Sequence, residues 1–325
     1  MFYLGIDVSK VKLDCTLFDT STKKQKSKVF PNTSAGFKQL LEWLGKLQAT
    51  APHVIMEPTG VYHEPAALAL TDAGLTLSLV NPAQLRKFAQ GLGVKTKTDK
   101  ADSAVLARYG ATQNPPAWQP PSHSARTLKA LLTRRDAVAD DLLRERNRQE
   151  AANATDTPSS VLCSIQDSIA FMEGELGRLQ KMINDHIDND PDLREKKDLL
   201  ETIPGVGPRV SDHITALFAA RTFERAEQLA AYLGLVPVQW ESGSSVKGRP
   251  RMSKAGPAHL RKLLYMPAVV ATRHNPHIKA HYERLLDKGK SKMAALGAAM
   301  RKLAHLCFGV VNSGKPYAAN FGEGT

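Results

Sequence analysis

Four prolines fall within the eleven residues from Thr112 to Ser122, TQNPPAWQPPS, and neither a helix nor an interior strand can run through them. The segment reads as a linker that divides the chain. Before it, buried-type and alternating apolar runs are interleaved with helical periodicities, whereas after it the apolar residues recur mainly at helical spacing. With 325 residues, 42% of them hydrophobic, the chain can build a core on each side.

The first part opens with FYLGIDVSKVKLDCTLFDT, a buried-type strand followed by a second in which Val11, Leu13, Cys15 and Leu17 alternate inward. KQKSKVFPN reads as a third strand. There follow an amphipathic helix carrying Phe37, Leu40, Leu41, Leu44 and Leu47, a short buried strand in HVIMEPTG, and a helix around Tyr62 to Ala73. A strand in LTLSLVNP and helices near Pro82 to Gln90 and Lys100 to Ala111 complete this part. The order β-β-β-α-β-α-β-α predicts an α/β domain of the ribonuclease-H-like kind over residues 1–121, a mixed sheet with helices on its faces.

After the linker, Leu128 to Gln149 is charged and helical. Beyond the break ATDTPSS, Ile165, Ile169, Met172, Leu176, Leu179 and Ile183 step by 4, 3, 4, 3 and 4, a heptad seam. Residues 122–196 are thus expected to form a helical hairpin or an interchain coiled coil. Residues 197–325 are expected to form a mainly helical domain, interrupted by WESGSSVKGRPRMSKAG.

Charge distinguishes the two ends. Residues 201–325 carry 18 Lys and Arg against 8 Asp and Glu, a net of +10 out of +12 for the whole chain. A field that wide suits a polyphosphate backbone better than a small acidic metabolite. Cys15, Cys163 and Cys307 are scattered without metal or disulfide spacing and read as small hydrophobes. No apolar run reaches the roughly 18 residues of a membrane span, and no basic leader opens the chain, so a cytoplasmic protein without membrane attachment is expected.

Four acids carry the chemistry. Asp7 lies in the first strand (GIDVSK) and Glu57 ends the fourth (IMEPTG), while Asp99 and Asp102 (KTDKADSAVLA) share one face at the start of a helix. With the first and fourth strands adjacent and that helix crossing them, all four meet at one sheet edge. Crowded carboxylates need a cation, and hard oxygen donors select Mg²⁺ or Mn²⁺. A pair of such ions about 4 Å apart stabilises both attacking and leaving oxygens in phosphodiester displacement.

GIDVSK, IMEPTG and KTDKAD, followed by PPAWQPP, IPGVGP and ESGSSVKGRPRMSKAG, resemble the signature of the bacterial insertion-sequence transposases of the 110 group over nearly the whole chain. The resemblance implies a RuvC-like domain with an Asp-Glu-Asp-Asp metal site, a coiled-coil insertion and a C-terminal transposase domain with a serine nucleophile. It also implies donor and target DNA, a noncoding bridge RNA and a homo-oligomer as partners, at the bacterial nucleoid. Ser242 aligns with the nucleophile, and a composite site with the acids, within or between subunits, follows.

Two segments admit two readings each. Gly205 and Gly207 in IPGVGP form either a helix-hairpin-helix turn that holds a phosphate or a tight interhelical turn. The loop around Ser242 either grips a DNA backbone or attacks it, with Lys247, Arg249, Arg251, Lys254 and Arg261 neutralising phosphate. Ser244, Ser245 and Ser253 are hydrogen-bonding residues or rivals to Ser242, and His259, His274, His277 and His281 receive no role. A hydrolytic RuvC-like junction nuclease is the alternative enzyme. A sugar kinase of the actin-like kind would need a second phosphate-binding half, which residues 122–325 do not supply, and the complete acidic quartet argues against a degenerate scaffold.

Overall fold

The computed structural model describes the chain except residues 59, 94–97, 240, 243–245, 248, 249 and 320–325, and except the side chains of residues 100, 241, 242, 246 and 247. The described residues fall into two compact units, Met1–Pro120 and Pro121–Thr325.

The first unit runs β1 (Phe2–Val8), β2 (Lys12–Asp19), β3 (Gln25–Pro31), α1 (Ser34–Lys46), β4 (His53–Met56), α2 (Glu64–Asp72), β5 (Leu77–Leu79), α3 (Pro82–Gly91) and α4 (Asp99–Gln113). The strands form one sheet in the order β3-β2-β1-β4-β5. The β1–β2 and β2–β3 pairs are antiparallel, and β1–β4 and β4–β5 are parallel. Alternation sends Leu4, Ile6, Val8, Leu13, Cys15 and Leu17 into a core shared with α1 and α2. Ile55 points to the opposite face and packs with Leu85 of α3 and Val105 and Leu106 of α4. Val11, expected inward, is 70% exposed because it sits in the turn between β1 and β2.

Helix α4 approaches the sheet at backbone distance. A Cβ added to Gly5 would stand 2.0 Å from the Ser103 carbonyl oxygen, and one added to Gly110 would stand 2.5 Å from Ile55 Cγ1. Buried Thr16 Oγ1 lies 2.8 Å from Ser103 Oγ, adding a polar tie between β2 and α4. The proline-rich segment is not a free linker over its first half. The Trp118 N–H donates to the Leu77 carbonyl (2.6 Å) and its ring packs on the core, while Ser78 Oγ lies 2.7 Å from the Pro116 carbonyl oxygen.

The second unit contains α5 (His123–Asn153), α6 (Ser159–Asp188), α7 (Pro191–Glu201), α8 (Pro208–Ala220), α9 (Ala226–Tyr232), α10 (Ala258–His274), α11 (Pro276–Asp287) and α12 (Lys292–Ser313). Between α9 and α10 lie four two-residue strands: β6 (Pro237–Val238), β7 (Glu241–Ser242), β8 (Val246–Lys247) and β9 (Arg251–Met252). Helices α5 and α6 run antiparallel, as the pairs Ser124–His186, Arg135–Gln180 and Arg146–Glu173 require. The seam residues Leu179 and Ile183 are buried, and Ile183 clusters with Leu128 and Leu132 of α5, Leu193 of α7 and Ala216 of α8. The hairpin marked off as residues 122–196 thus shares a core with the helices that follow it.

Charge reinforces that junction. The fully buried Asp212 carboxylate of α8 receives Arg135 Nη1 of α5 at 3.1 Å, Lys197 Nζ of α7 at 2.9 Å and Gln180 Nε2 of α6 at 3.3 Å. Helix α12 is 22 residues long, and an 18-residue stretch of it has a mean hydropathy of 1.3, enough in length and composition to cross a bilayer. No unbroken apolar run of that length was expected, and Arg301 and Lys302 interrupt this one. Leu296, Met300, Leu303, Cys307 and Val310 of α12 are buried in the core formed with α7 to α11.

Removing one partner of a buried ion pair strands the others, at a cost of about 3–5 kcal/mol. Asp212→Ala is expected to lose stability on that scale in denaturant unfolding, and Asp212→Asn, which keeps the shape and some hydrogen bonds, to lose less. Equal midpoints for wild type and Asp212→Ala would remove the charge cluster from any structural role.

Candidate active site and nucleic-acid interface

Strand parity brings the acids together. Gly5 faces α4, so Asp7, two residues on, lies on the same face. Gly5 pairs with Ile55 in the parallel β1–β4 ladder, and Glu57 follows Ile55 by the same two-residue step. Thr98 caps α4 by accepting from the Ala101 N–H, which places Asp99 and Asp102 in the helix's first turn. Asp7, on the face that α4 covers, lies within electrostatic reach of Asp102, Asp99 and Glu57.

Electrostatics registers the crowding. Burial, followed by repulsion from Asp102, Asp99, Asp14 and Glu57, pushes the Asp7 carboxyl up to about 6. Asp14 was missed in the sequence. The β1–β2 register sets it directly opposite Asp7, and it is buried. Its signal was available: Lys12, Asp14 and Thr16 alternate with the core residues of β2, so the strand's second face is polar where a doubly covered strand would be apolar.

Lys12 answers part of this charge. Its Nζ stands 2.7 Å from Asp99 Oδ2 and 3.0 Å from Asp14 Oδ2, and the two hydrogen bonds raise its affinity for the proton. Among the described residues no three His, Cys, Asp or Glu side chains are grouped closely enough to hold a metal ion as they stand. In kind the donors fit Mg²⁺ or Mn²⁺: all are carboxylates, and the repulsion at Asp7 is what a divalent cation relieves.

In the second unit, β6 pairs with β9 and β7 with β8, both antiparallel, so the inner ladder is nested in sequence within the outer one. Ser242 pairs with Val246 through the inner ladder. The side chains of Ser242 and Lys247, and the whole of Ser244, Ser245 and Arg249, lie outside the described residues. Arg251 and Lys254 are exposed. Arg261 is committed at the hairpin's root, where Nη1 donates to the Gly256 carbonyl (2.9 Å) and to the Leu233 carbonyl (3.3 Å). The Ser253 and Lys254 N–H groups close the same root on the Val236 and Gly234 carbonyls.

Gly205 adopts φ +103, and a Cβ there would meet Ala271 Cβ at 2.9 Å, so conformation and packing both call for glycine. Gly207 begins α8 as its N-cap. Of the histidines left without a role, His277 Nδ1 pairs with the Tyr317 hydroxyl at 2.7 Å and His281 with Arg284, which are structural ties.

Residues 4–152 match a family model described as Transposase, of the DEDD type of IS110, and residues 197–283 match one described as Transposase IS116/IS110/IS902 family. The pilin gene-inverting protein of Moraxella bovis is 34% identical over 97% of both chains, and that of Moraxella lacunata is equally similar. The chain belongs to the IS110 transposase family. An IS110 protein of Streptomyces coelicolor is 25% identical over 52% of the transposase and 41% of its own length. RuvC of T. thermophilus, solved with a Holliday junction substrate, aligns with 36% of the transposase and 98% of that chain at 16% identity and a TM-score of 0.27.

The Asp7 shift has a definite sign. A carboxyl raised in the folded state binds its proton more tightly there than in the unfolded chain, so its contribution favours folding below pH 4 and is lost as pH rises through about 6. In chelator, Asp7→Asn is expected to raise the melting temperature relative to wild type at pH 8 and to leave it unchanged near pH 4. A variant no more stable than wild type at pH 8 would show that Asp7 is not under electrostatic strain.

Proposed function

We propose that this transposase is a DNA recombinase that cleaves and rejoins strands through a covalent serine intermediate, with a bridge RNA selecting donor and target DNA. What supports the reading is that Asp7 of β1 lies within electrostatic reach of Asp99 and Asp102 of α4 and of Glu57, which follows β4, in a chain of the IS110 family. These four would hold Mg²⁺ or Mn²⁺, with Asp14 beside them. A bound divalent ion there would withdraw charge from a phosphodiester and from its leaving oxygen.

Ser242 supplies the nucleophile in this reading. Its Oγ forms a bond to phosphorus as one strand P–O bond breaks; the serine proton passes to a base and the departing oxygen takes up a proton. Attack by the hydroxyl of a second DNA end then breaks the Oγ–P bond and restores the serine, conserving the ester without ATP. Lys247, Arg249, Arg251 and Lys254 neutralise phosphate on the hairpin, and the turn at Gly205 and Gly207 holds backbone phosphate. Arg261 acts by fixing the hairpin's root. Inversion of a pilin gene, for which the Moraxella relatives are named, is a rearrangement of this class.

Ser242→Ala is expected to abolish the covalent protein–DNA adduct seen on denaturing gels while DNA and RNA binding stay within about twofold of wild type. An adduct that persists in that variant would strip Ser242 of its role, and strand cleavage without any adduct would favour the hydrolytic junction nuclease. Asp102→Asn is expected to lower metal-dependent strand exchange by at least about a hundredfold, as removal of a carboxylate that positions catalytic charge does. Full exchange in that variant, or in excess chelator, would remove the metal site from the reaction.

A further inference from the structure

The unit Pro121–Thr325 contains a cavity of about 540 Å³ between α5, the α7–α8 turn, α8 and α10. Its volume lies in the range of small-molecule sites. Leu263, Met266 and Val270 of α10, with Val210 of α8, give it an apolar wall, and Met266 and Val270 are 60% and 43% exposed. Arg209 and Lys262 bring cations, Asp136 and Asp140 carboxylates. His213 and His259 also line it, with ring centroids 6.4 Å apart.

Two backbone positions shape this wall. Gly207 has φ −100 and ψ 175, extended values open to any residue, and a Cβ there would meet nothing within 4 Å. Glycine suits this N-cap, but packing within the chain does not require it, in contrast to Gly205, and the bare backbone of Gly207 leaves room for a group that enters the cavity. Pro267 lies inside α10 and has no N–H for the Leu263 carbonyl four residues before it. Both residues line the cavity.

Some of the polar groups already pair with one another. Asp136 Oδ2 lies 3.0 Å from His213 Nε2, and Asp136 Oδ1 lies 3.4 Å from Arg135 Nη2 and 3.5 Å from Arg209 Nη2. Burial alone would raise this carboxyl, but the His213 hydrogen bond and the charges of His213, Arg135 and Arg209 outweigh it and hold Asp136 at about 2. Asp140, one helical turn further on, offers a second carboxylate. Arg209 and Lys262 offer cations that can pair with a phosphate.

A ligand that satisfies this wall has an anionic end and a flat, largely apolar body with N–H donors on its edge. A nucleotide has that chemistry. We propose that the cavity receives one unstacked nucleotide of a bound nucleic-acid strand. Its phosphate lies towards Gly207, Arg209 and Lys262, and its base lies against Leu263, Met266 and Val270, with edge donors towards Asp140. The proposal rests on the reading of the chain as an enzyme acting on nucleic acid.

The test uses the full chain in excess chelator, so that no cleavage intervenes, with two DNA probes: a fully paired duplex and the same duplex with one bulged nucleotide. The bulged probe is expected to bind about tenfold more tightly, the scale of one base taken up on a protein surface. Met266→Trp, and separately Val270→Trp, fill the mouth from exposed positions; each is expected to abolish the preference and leave paired-duplex affinity unchanged. Equal affinity for the two probes in wild type, or a preference that survives both variants, would overturn the proposal. A nucleoside monophosphate is expected to compete for the bulged probe's extra affinity far better than inorganic phosphate; equal competition would reduce the cavity to an anion cradle and overturn the base assignment. Failure of wild type to bind the paired duplex at all would instead sink the nucleic-acid reading.

Discussion

The closeness of α4 to β1 is the constraint from which the acidic site follows. With Ser103 and Ala107 within 2.4 Å of where a Gly5 side chain would begin, the helix rests on strand backbone, and any larger residue at position 5 would force it away. Asp102 precedes Ser103, and Asp7 is two residues beyond Gly5. The distance between the helix's acids and the strand's acid is therefore set by a glycine contact rather than by the acids themselves, which repel one another. Lys12 offsets part of that repulsion at Asp14 and Asp99, while burial first and the neighbouring carboxylates second hold the Asp7 carboxyl raised.

The second unit is organised around a different expedient. A carboxylate with no solvent exposure, Asp212, is matched by two cations and an amide from three other helices, so the orientation of the long α5–α6 hairpin is specified by charge geometry as well as by apolar contact. From the same unit projects the nested hairpin that carries Ser242. Its root is closed by backbone hydrogen bonds and by the Arg261 guanidinium, and by the approach of Gly256 to the Tyr232 carbonyl, where a Cβ would stand at 2.0 Å.

The element order of the first unit was legible because each strand is short, apolar and bounded by turn residues, and the four acids were legible because they end or begin such elements. Asp14 was not, since reading β2 as a strand with one buried side left its polar side assigned to solvent, whereas α4 covers it. The two ladders around Ser242 were equally hidden: strands of two residues leave no periodicity to read, and serine and glycine suggest a loop. The polar seal at Asp212 was invisible for another reason, because Arg135, Gln180, Lys197 and Asp212 are 77 residues apart at the extremes and only tertiary packing brings them together. Trp118 showed that a proline-rich run can bar helix and still be held in place by neighbouring carbonyl groups.

That strap has a consequence for how copies of the protein can meet. A sheet exposes unpaired backbone along its two outer strands, and such margins recruit further strands. At β5 the Trp118 amide occupies the Leu77 carbonyl, and at β3 the exposed Lys26 and Lys28 line the opposite border with positive charge. Both borders are thereby blunted against strand addition, so self-association that joined two sheets into one is disfavoured.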